Sequence, residues 1–533
     1  MRSFALVVAS SLLLTPAAPA LAAPEPPTPE ALAAAAAAIR DVDCKAHVDF
    51  LASDLLEGRS TPSRGLDLAG AYIVSHFERF GLEPGGDEGT WLQAFPIIVE
   101  ARLKTASFSV DAGSTVHALE LGTDFAPLSL TGSGRAEGAA VVFAGYGITA
   151  PEESYDDYEG VDVKGKVVLI LRHEPREQDD GDAFAGRRNS RHAFYQRKVE
   201  NAARRGAKAI FIVTDPKNHE DADRRPEVRW PIPFADDVGD GDFPAFQVSP
   251  GAAKALLGGR DLLEIQKKID DALAPQSFEV EGVRASLAVE VEKVTGYGKN
   301  VVGVLRGSDP TLKAEAVVIG AHYDHVGVQA EDGHGFPGQI GPAVKGDRIH
   351  NGADDNASGT AGLIEVAKAF AQSGARPRRT IVFIAFAGEE LGLLGSRFYT
   401  RKPPIPIKQT VAMINLDMIG RNDPNRVNVL VPNEGALARA FESSNGVIGM
   451  EIRKMSSRGM GGGSSDHASF QRVGVPAMFF FAGDHPDYHR VTDHSSGIVV
   501  EKIQRIARLA YMTAAHVADD EGAEKPKPPT RLF

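Results

Sequence analysis

The sequence predicts an α/β fold in which a mixed β-sheet lies between helical layers, with a smaller α/β module inserted into it. Four short apolar runs typical of buried strands recur in the second half of the chain, and polar residues follow each of them. Between about Thr115 and Gln276 the pattern changes to shorter strands separated by acidic and Pro-rich loops. With 533 residues and 43% hydrophobic content, the chain can bury more than one core. We therefore expect two domains.

The four apolar runs of the larger domain are Ala316–Ala321, Thr380–Ala387, Val411–Leu416 and Ala477–Phe481. A helical pattern runs from about Ala357 to Ala371 between the first two. In open α/β sheets, sites form beyond the carboxyl ends of the strands, where segments far apart in sequence converge. We therefore expect the polar residues that follow these runs to meet in one crevice.

The candidate metal-ligating residues are His322, Asp354, Glu390, Asp417 and His489; all but Asp354 come shortly after one of these runs, and Asp354 lies in a Gly-rich loop before the helical pattern. A second carboxylate, Glu389, stands beside Glu390. A two-metal hydrolytic site needs nitrogen and oxygen ligands, one carboxylate between the ions, and a separate carboxylate that accepts a proton from water. The sequence contains all of these groups.

Each candidate has an ordinary structural interpretation when it is considered alone. His322 by itself would more often be a hydrogen-bonded structural residue. Asp324 favours the functional interpretation, because it would share a face with His322 if the strand continues and could then orient the imidazole. The Asp354-Asp355 pair could cap the following helix, and the Glu389-Glu390 pair could be solvated in a first helical turn.

Together these contexts resemble the co-catalytic zinc exopeptidases, the family of bacterial leucyl-type aminopeptidases that also includes glutamate carboxypeptidases and glutaminyl cyclases. The segments Phe50–Arg59, Phe80–Pro84 and Ser465–Phe470 resemble other parts of the same family. The resemblance implies two Zn²⁺ ions per chain and a cis peptide after Asp354. It places Asp466 and His467 on the substrate side of the site rather than among the ligands.

The resemblance also implies a role for each candidate. Asp354 would bridge the two ions. His322 and Asp417 would complete one metal site, and Glu390 and His489 would complete the other. Glu389 would be the general base, with Asp324 orienting His322.

The module between residues 115 and 276 shows no evident catalytic constellation. Its predicted elements are strands at Ala139–Ala144, Val167–Leu171 and Ala207–Val213 and a helix at Arg197–Arg205. Its local motifs resemble the protease-associated domain of secreted peptidases, and they are Gly145–Ile148, Tyr155–Tyr158, Asp162–Val167 and Phe243–Ser249. This resemblance implies a peptidase domain split into residues 39–114 and 277–518, with the insert serving substrate gating, protein contacts or mere spacing. A disordered tail is expected at residues 519–533.

The amino terminus predicts a secretory signal peptide at residues 1–22. Arg2 precedes the apolar run Phe4–Leu14, and Ala20-Leu-Ala22 offers a cleavage site. We therefore expect a secreted or periplasmic protein with no stable membrane span, although an uncleaved anchor is the alternative. Cys44 is the only cysteine, so no intrachain disulfide can form. The net charge of −13 argues against a general nucleic-acid binder.

The sequence predicts a zinc-dependent aminopeptidase whose substrates are peptides or proteins. Manganese or cobalt would suit similar ligands. A metallo-carboxypeptidase and a glutaminyl cyclase remain alternatives on the same fold, and a receptor-like protein without catalysis is disfavoured by the intact ligand set. No oligomeric state is favoured.

Overall fold

The computed structural model describes residues 28–526 except 114, 129–130, 180–183, 185, 187–189, 191, 220–242, 330–338, 342–343, 345, 374–375 and 456–464. The expected signal peptide, the end of the expected tail and a Gly-rich run at residues 459–463 lie outside the described residues. Among the helices of the described ranges, none is both long and apolar enough to cross a lipid bilayer.

The helices are α1 Pro29–Ala36, α2 Asp41–Leu51, α3 Arg64–Arg79, α4 Tyr195–Arg204, α5 Pro250–Leu256, α6 Leu262–Ala272, α7 Gly359–Gln372, α8 Leu394–Arg401, α9 Ala436–Ile448, α10 His467–Arg472 and α11 Val500–Asp519. The strands are β1 Glu83–Pro84, β2 Leu92–Asp111, β3 Val116–Leu119, β4 Phe125–Pro127, β5 Gly134–Phe143, β6 Thr149–Ala150, β7 Tyr155–Asp156, β8 Val167–Leu171, β9 Ala209–Val213, β10 Ala245–Val248, β11 Phe278–Leu305, β12 Ala316–His322, β13 Thr380–Phe386, β14 Thr410–Leu416, β15 Arg426–Leu430, β16 Glu451–Lys454 and β17 Ala477–Phe481.

A continuous mixed sheet runs through both halves of the molecule in the order β16-β15-β17-β14-β12-β13-β11-β5-β8-β9-β10-β4. Strands β13, β12, β14 and β17 are parallel to one another, and β15 and β11 join them antiparallel. The long strand β11 links the halves, because its last residues pair with β13 while its first part pairs with β5. The predicted α/β class with a mixed sheet is confirmed.

The part of the sheet formed by β12, β13, β14 and β17 is covered on both faces, as the continuous apolar runs predict. Along β12, Val317 and Ile319 pack into a core shared with α1, α2, α3, α7, α9 and α11, whereas Val318 faces a second core. That second core contains Tyr399 of α8 and Phe470 of α10. The alternation follows from the two-residue period of a strand, so every residue of β12 is buried.

The inserted part has its own cores, also divided by the sheet. In β8, Val167 and Leu169 face one core, and Val168 and Ile170 face the other. Strands β5, β8, β9 and β10 are parallel to one another, β5 is antiparallel to β11, and β4 closes the edge antiparallel to β10. This arrangement puts the carboxyl ends of β8 and β9 side by side.

The carboxyl terminus differs from the expectation of a disordered tail that starts at Asp519. Asp519 is the last residue of α11. Beyond it, Asp520 pairs with Arg439 at 3.0 Å, and Lys525 pairs with Glu315 at 2.9 Å. These charged side chains have partners on the folded domain, which a composition-based expectation of disorder does not consider.

Candidate metal centre

The neighbouring strands β13, β12 and β14 bring several of the candidate residues together. His322 is the last residue of β12, Glu389 and Glu390 follow β13, and Asp417 directly follows β14. Because β13, β12 and β14 are adjacent and parallel, these positions meet at one edge of the sheet. The loop before α7 and the segment around His489 complete the group.

Asp355 lies at the centre of this group with its carboxylate between two histidines. Its Oδ1 is 3.3 Å from Nε2 of His322, and its Oδ2 is 3.0 Å from Nε2 of His489. The side chain is buried. Each oxygen therefore faces a different imidazole, which is the arrangement expected of a carboxylate shared by two ions.

The other carboxylates extend the group on either side of Asp355. Asp417 Oδ1 is 3.2 Å from His322 Nε2, and Glu390 Oε2 is 3.2 Å from His489 Nε2. The ligand atoms form overlapping sets within 4.8 Å, and Asp355 belongs to both the set with Asp417 and the set with Glu390. Two metal positions that share one carboxylate fit this pattern.

Asp354, which the resemblance placed at the bridge, lies outside this group. Its Oδ1 accepts a 2.6 Å hydrogen bond from the N–H of Gly420, and its Oδ2 is 3.4 Å from Nε2 of His485. The cis peptide is likewise one residue later, between Asp355 and Asn356. Asp493 accepts from the N–H groups of both Asp354 and Asp355, at 2.9 and 3.2 Å, so the backbone holds the two adjacent side chains in different directions. Two consecutive aspartates offered no sequence signal for choosing between them.

Asp324 lies close to His322, but the continued strand that the sequence suggested is not what brings the two residues together. Strand β12 ends at His322, and Nδ1 of that imidazole is 3.2 Å from the carbonyl oxygen of Asp324 and 3.8 Å from its carboxylate. The carboxylate accepts hydrogen bonds from Thr61 Oγ1 at 3.0 Å and from the N–H of Glu389 at 3.2 Å. Burial raises the pKa of Asp324 to about 6. Asp324 thus contacts both His322 and the backbone of Glu389.

Glu389 faces the group from the end of β13. One of its carboxylate oxygens lies within 4.8 Å of ligand atoms of His322 and Glu390. Burial, followed by the charges of Glu390 and Asp417, raises the pKa of Glu389 well above its usual range, although His322 opposes this. Such surroundings favour the protonated form of the carboxyl group, and a proton carrier must be able to adopt that form.

His325 and Arg59 are parts of the site that the sequence analysis did not assign. The Nδ1–H of His325 donates to Glu390 Oε1 at 2.7 Å, and the ring is fully buried. The guanidinium of Arg59 donates to the carbonyl oxygens of Tyr323, Asn351 and Gly352 at 2.8–3.1 Å. His325 stands three residues after His322, a spacing that offered a signal, whereas the role of Arg59 depends on tertiary contacts alone.

Asp466 and His467 are buried near the group, but neither belongs to its sets of ligand atoms in the described part of the chain. His467 stacks on Phe479 with ring centroids 4.5 Å apart. Burial raises the pKa of Asp466 to about 7, although the charge of His322 opposes the shift.

The residues present fit divalent metal ions. Burial alone would lower the pKa of His489, yet the charge of Glu390 and the hydrogen bonds to Asp355 and Glu390 raise it to about 12. So dense a set of buried carboxylates requires compensating positive charge. Imidazole nitrogens and carboxylate oxygens are the ligands that zinc takes in catalytic sites.

Two protein-family models match parts of this chain. Residues 300–514 match the model of Peptidase family M28, and residues 127–256 match the model of the PA domain. Fold and site therefore define a metallopeptidase with an inserted domain. Residues 300–514 are thus similar to Peptidase family M28, the kind of family that the sequence resemblance indicated, and the insert is similar to the PA domain.

Curated relatives are aminopeptidases and related enzymes. The chain is 25% identical over 397 residues to Aminopeptidase YwaD of Bacillus subtilis (strain 168), a match covering 72% of this chain and 69% of the relative. It is 28% identical over 190 residues to Leupeptin-inactivating enzyme 1 of Streptomyces exfoliatus, covering 36% of each. It is 31% identical over 217 residues to a Probable leucine aminopeptidase of Trichophyton verrucosum (strain HKI 0517), covering 38% of this chain and 52% of the relative. The solved aminopeptidase from Aneurinibacillus sp. strain AM-1 aligns with a TM-score of 0.49 at 19% identity, over 93% of this chain and 96% of that one.

Proposed function

We propose that this chain is a two-zinc aminopeptidase that hydrolyses the amino-terminal peptide bond of peptides. The observation that carries the proposal is the Asp355 carboxylate, whose two oxygens face His322 and His489 at 3.3 and 3.0 Å. On this basis Asp355 would be shared by the two ions, His322 and Asp417 would hold one of them, and Glu390 and His489 would hold the other. The names of the curated aminopeptidase relatives support the substrate class.

The surrounding residues hold this arrangement in place. His325 donates to Glu390 and fixes the direction of that carboxylate. Asp324 accepts from the N–H of Glu389 and contacts His322, so it positions a ligand and the base together. Buried partners of this kind orient ligands and commonly change metal affinity by about 10–100-fold when they are removed.

Glu389 is the proton carrier in this proposal. Bound zinc would lower the pKa of a coordinated water and polarise the scissile carbonyl. The carboxylate of Glu389 accepts the proton of the attacking water and then delivers it to the leaving amine. The buried setting that raises the pKa of Glu389 favours its holding that proton between the two transfers.

The test is hydrolysis of a leucine-initiated peptide, supplied with a free and with an acetylated amino terminus, with and without a chelator. We expect chelator-sensitive cleavage of the free peptide alone. Equal cleavage of both peptides would contradict an aminopeptidase. Absence of cleavage from a protein loaded with metal would reject this function in favour of carboxypeptidase or glutaminyl cyclase activity, which assays with a carboxyl-terminal substrate and an amino-terminal Gln peptide detect.

We also propose that the enzyme is exported, on the basis of the amino-terminal pattern at residues 1–22. Fractionation of producing cells, followed by amino-terminal sequencing of the recovered protein, tests this. A protein that begins near Ala23 outside the cytoplasm is expected, and one that keeps its first residues in the cytoplasm would contradict export.

A further inference from the structure

The inserted PA domain contains a second group of metal-type ligands, far along the sheet from the peptidase centre. The side chains come from two loops in which the ligand-type residues have the same spacing from the preceding strand. His173 lies two residues after β8 and Asp215 two residues after β9, and Leu171 pairs with Val213 in the parallel register. The positions of His173 and Asp215 therefore face each other across the strand ends.

Each loop contributes a second ligand-type side chain four residues later, Glu177 after His173 and His219 after Asp215. The two histidine nitrogens alternate with the two carboxylates around a ring, and each carboxylate faces its two histidines with different oxygens. His173 Nδ1 is 2.5 Å from Asp215 Oδ1, and His219 Nε2 is 2.6 Å from Glu177 Oε1. The other two distances are longer: His173 Nδ1 is 3.7 Å from Glu177 Oε2, and His219 Nε2 is 3.8 Å from Asp215 Oδ2. All the ligand atoms lie within 4.8 Å of one another.

These dimensions suit a tetrahedral ion. Zinc holds nitrogen and oxygen ligands at about 2.0–2.2 Å, which places neighbouring ligands roughly 3.3 Å apart. Two of the four distances around the ring are shorter than this separation and two are longer. Shifts of a few tenths of an ångström to about 0.8 Å would therefore bring one atom of each side chain onto a common ion. Two imidazoles and two carboxylates favour a borderline ion such as Zn²⁺ over Ca²⁺ or Mg²⁺, which prefer oxygen ligands alone.

A buried carboxylate oxygen gives independent support. The Asp215 side chain is fully buried, and its Oδ2 has no hydrogen-bond partner. This oxygen points toward His219 Nε2 across the 3.8 Å side of the ring. An unsatisfied buried acceptor is costly, and a cation inside the ring would satisfy it.

The charges of the group agree with this. Burial and the charge of Asp215 raise the pKa of Glu177, although both histidines oppose the shift. For Asp215 itself, burial would raise the pKa, but the hydrogen bond from His173 lowers it. The two carboxylates thus repel each other within a small volume, and a divalent ion would compensate both. His219 is the most exposed member of the ring, with 22% of its side chain accessible, and it offers the ion a way in.

We propose that the inserted domain binds one Zn²⁺ ion through a tetrahedral site of four side chains that is separate from the peptidase centre: His173, Glu177, Asp215 and His219. The ion would join the loop after β8 to the loop after β9. The alternative is a metal-free network in which each protonated histidine pairs with a carboxylate.

The test compares zinc uptake by the full chain with uptake by His219→Ala. Both proteins are stripped with a chelator and dialysed against Zn²⁺, and bound zinc is measured by mass spectrometry. We expect wild type to bind one more ion per chain than the variant, whatever the number held at the peptidase centre. The matched control is His192→Gln, because His192 is also a histidine of the insert that contacts a carboxylate, Glu152 at 2.9 Å, outside the ring. The control should bind as much zinc as wild type.

A second background separates this proposal from the peptidase function. In a chain carrying His322→Ala and His489→Ala, we expect one zinc ion to remain and to raise the melting temperature, and both effects should vanish when His219→Ala is added. Equal zinc uptake with and without His219→Ala would overturn the inserted-domain site. If circular dichroism shows that His219→Ala is unfolded, Glu177→Gln replaces it and the same comparison decides.

Discussion

The peptidase centre and the ring of the inserted domain are built on the same plan but with different amounts of support. In both, the ligand-type side chains extend beyond the carboxyl ends of parallel strands. In both, a buried basic side chain donates to a backbone carbonyl of a loop that carries the cluster. Arg59 donates to the carbonyls of Tyr323, Asn351 and Gly352, and Lys198 donates to that of His173 at 2.6 Å and to that of Tyr146.

The two clusters differ in the segments that surround and support their ligand-type side chains. The peptidase centre draws on several segments distant in sequence, and further acidic groups hold its loops, such as Asp493 beneath Asp355. The ring draws on two loops only, those after β8 and β9. A site that positions a reacting group needs such support, whereas a site that only joins two loops does not. The comparison therefore predicts catalysis at the first cluster and structural binding at the second.

Replacing Glu389 with Gln should separate catalysis from metal binding most clearly. The amide cannot accept the proton of the attacking water, so we expect kcat to fall by about 10²–10⁴-fold while bound zinc stays unchanged. Steady-state kinetics and metal analysis of the same preparation check this. His192→Gln in the insert serves as the control and should keep wild-type kcat. A fully active Glu389→Gln protein would remove Glu389 from its proposed role.

Replacing each of two neighbouring aspartates with Asn tests which one holds the ions. Asp355→Asn should weaken zinc binding by more than about 100-fold, because a shared ligand loses its charge; even outer partners cost about 10–100-fold. Asp354→Asn keeps an oxygen for the N–H of Gly420, so its effect should not exceed about 10-fold. Competition with a chromophoric chelator measures both affinities. The reverse order would restore Asp354 as the bridge.

The sequence allowed prediction of the site positions that follow buried strands. It did not allow prediction of the positions that depend on loop conformation. The convergence of His322, Glu390 and Asp417 could be predicted because apolar runs that form β12, β13 and β14 come shortly before them. The choice between Asp354 and Asp355 depends on a loop conformation that Asp493 and Gly420 hold by hydrogen bonds from distant parts of the chain. The ring of the insert was missed for a similar reason. Two separate His/carboxylate pairs look like ordinary loop residues until β8 and β9 place them side by side.

Removing the buried cation beneath the peptidase centre should cost stability as well as metal. In Arg59→Met, the carbonyls of Asn351 and Gly352 lose buried donors, and we expect a loss of about 3–5 kcal/mol, as for breaking a buried charged interaction. Zinc affinity should fall too, because these carbonyls belong to the loop that carries Asp355. Calorimetry and metal titration check the two effects. Unchanged zinc affinity would show that the loop is held without Arg59.

The corresponding change in the insert is Lys198→Met, and its expected effect is smaller. Two carbonyl oxygens lose their donor, which costs about 2–3 kcal/mol at roughly 1–1.5 kcal/mol each. Burial lowers the pKa of Lys198 to about 7, because a charged amine is costly to keep in this buried position. The substitution removes that cost, which partly offsets the loss of the two hydrogen bonds. We expect weaker zinc binding by the ring and unchanged peptide hydrolysis. Impaired hydrolysis would show that the two clusters are coupled.

The smallest expected effect concerns acid stability in the peptidase half, at a histidine outside both clusters. Burial, with the nearby charges of His47 and Arg79, lowers the pKa of His76 from 6.5 to about 4. The unfolded chain therefore binds a proton more readily than the folded one between these values. The resulting stability is fully present above about pH 6.5 and is lost as pH falls toward about 4.

The full shift would correspond to roughly 3 kcal/mol, but His76 is only half-buried, so we expect about 1 kcal/mol. His76→Gln should therefore reduce the fall in stability between pH 6.5 and 4 by about that amount, measured by denaturant unfolding of the metal-free protein. His117→Gln, an exposed position on β3 of the insert, is the matched control and should leave the acid response unchanged. If both variants keep the wild-type acid response, other groups cause the acid sensitivity of the peptidase half, and His76 does not contribute to it.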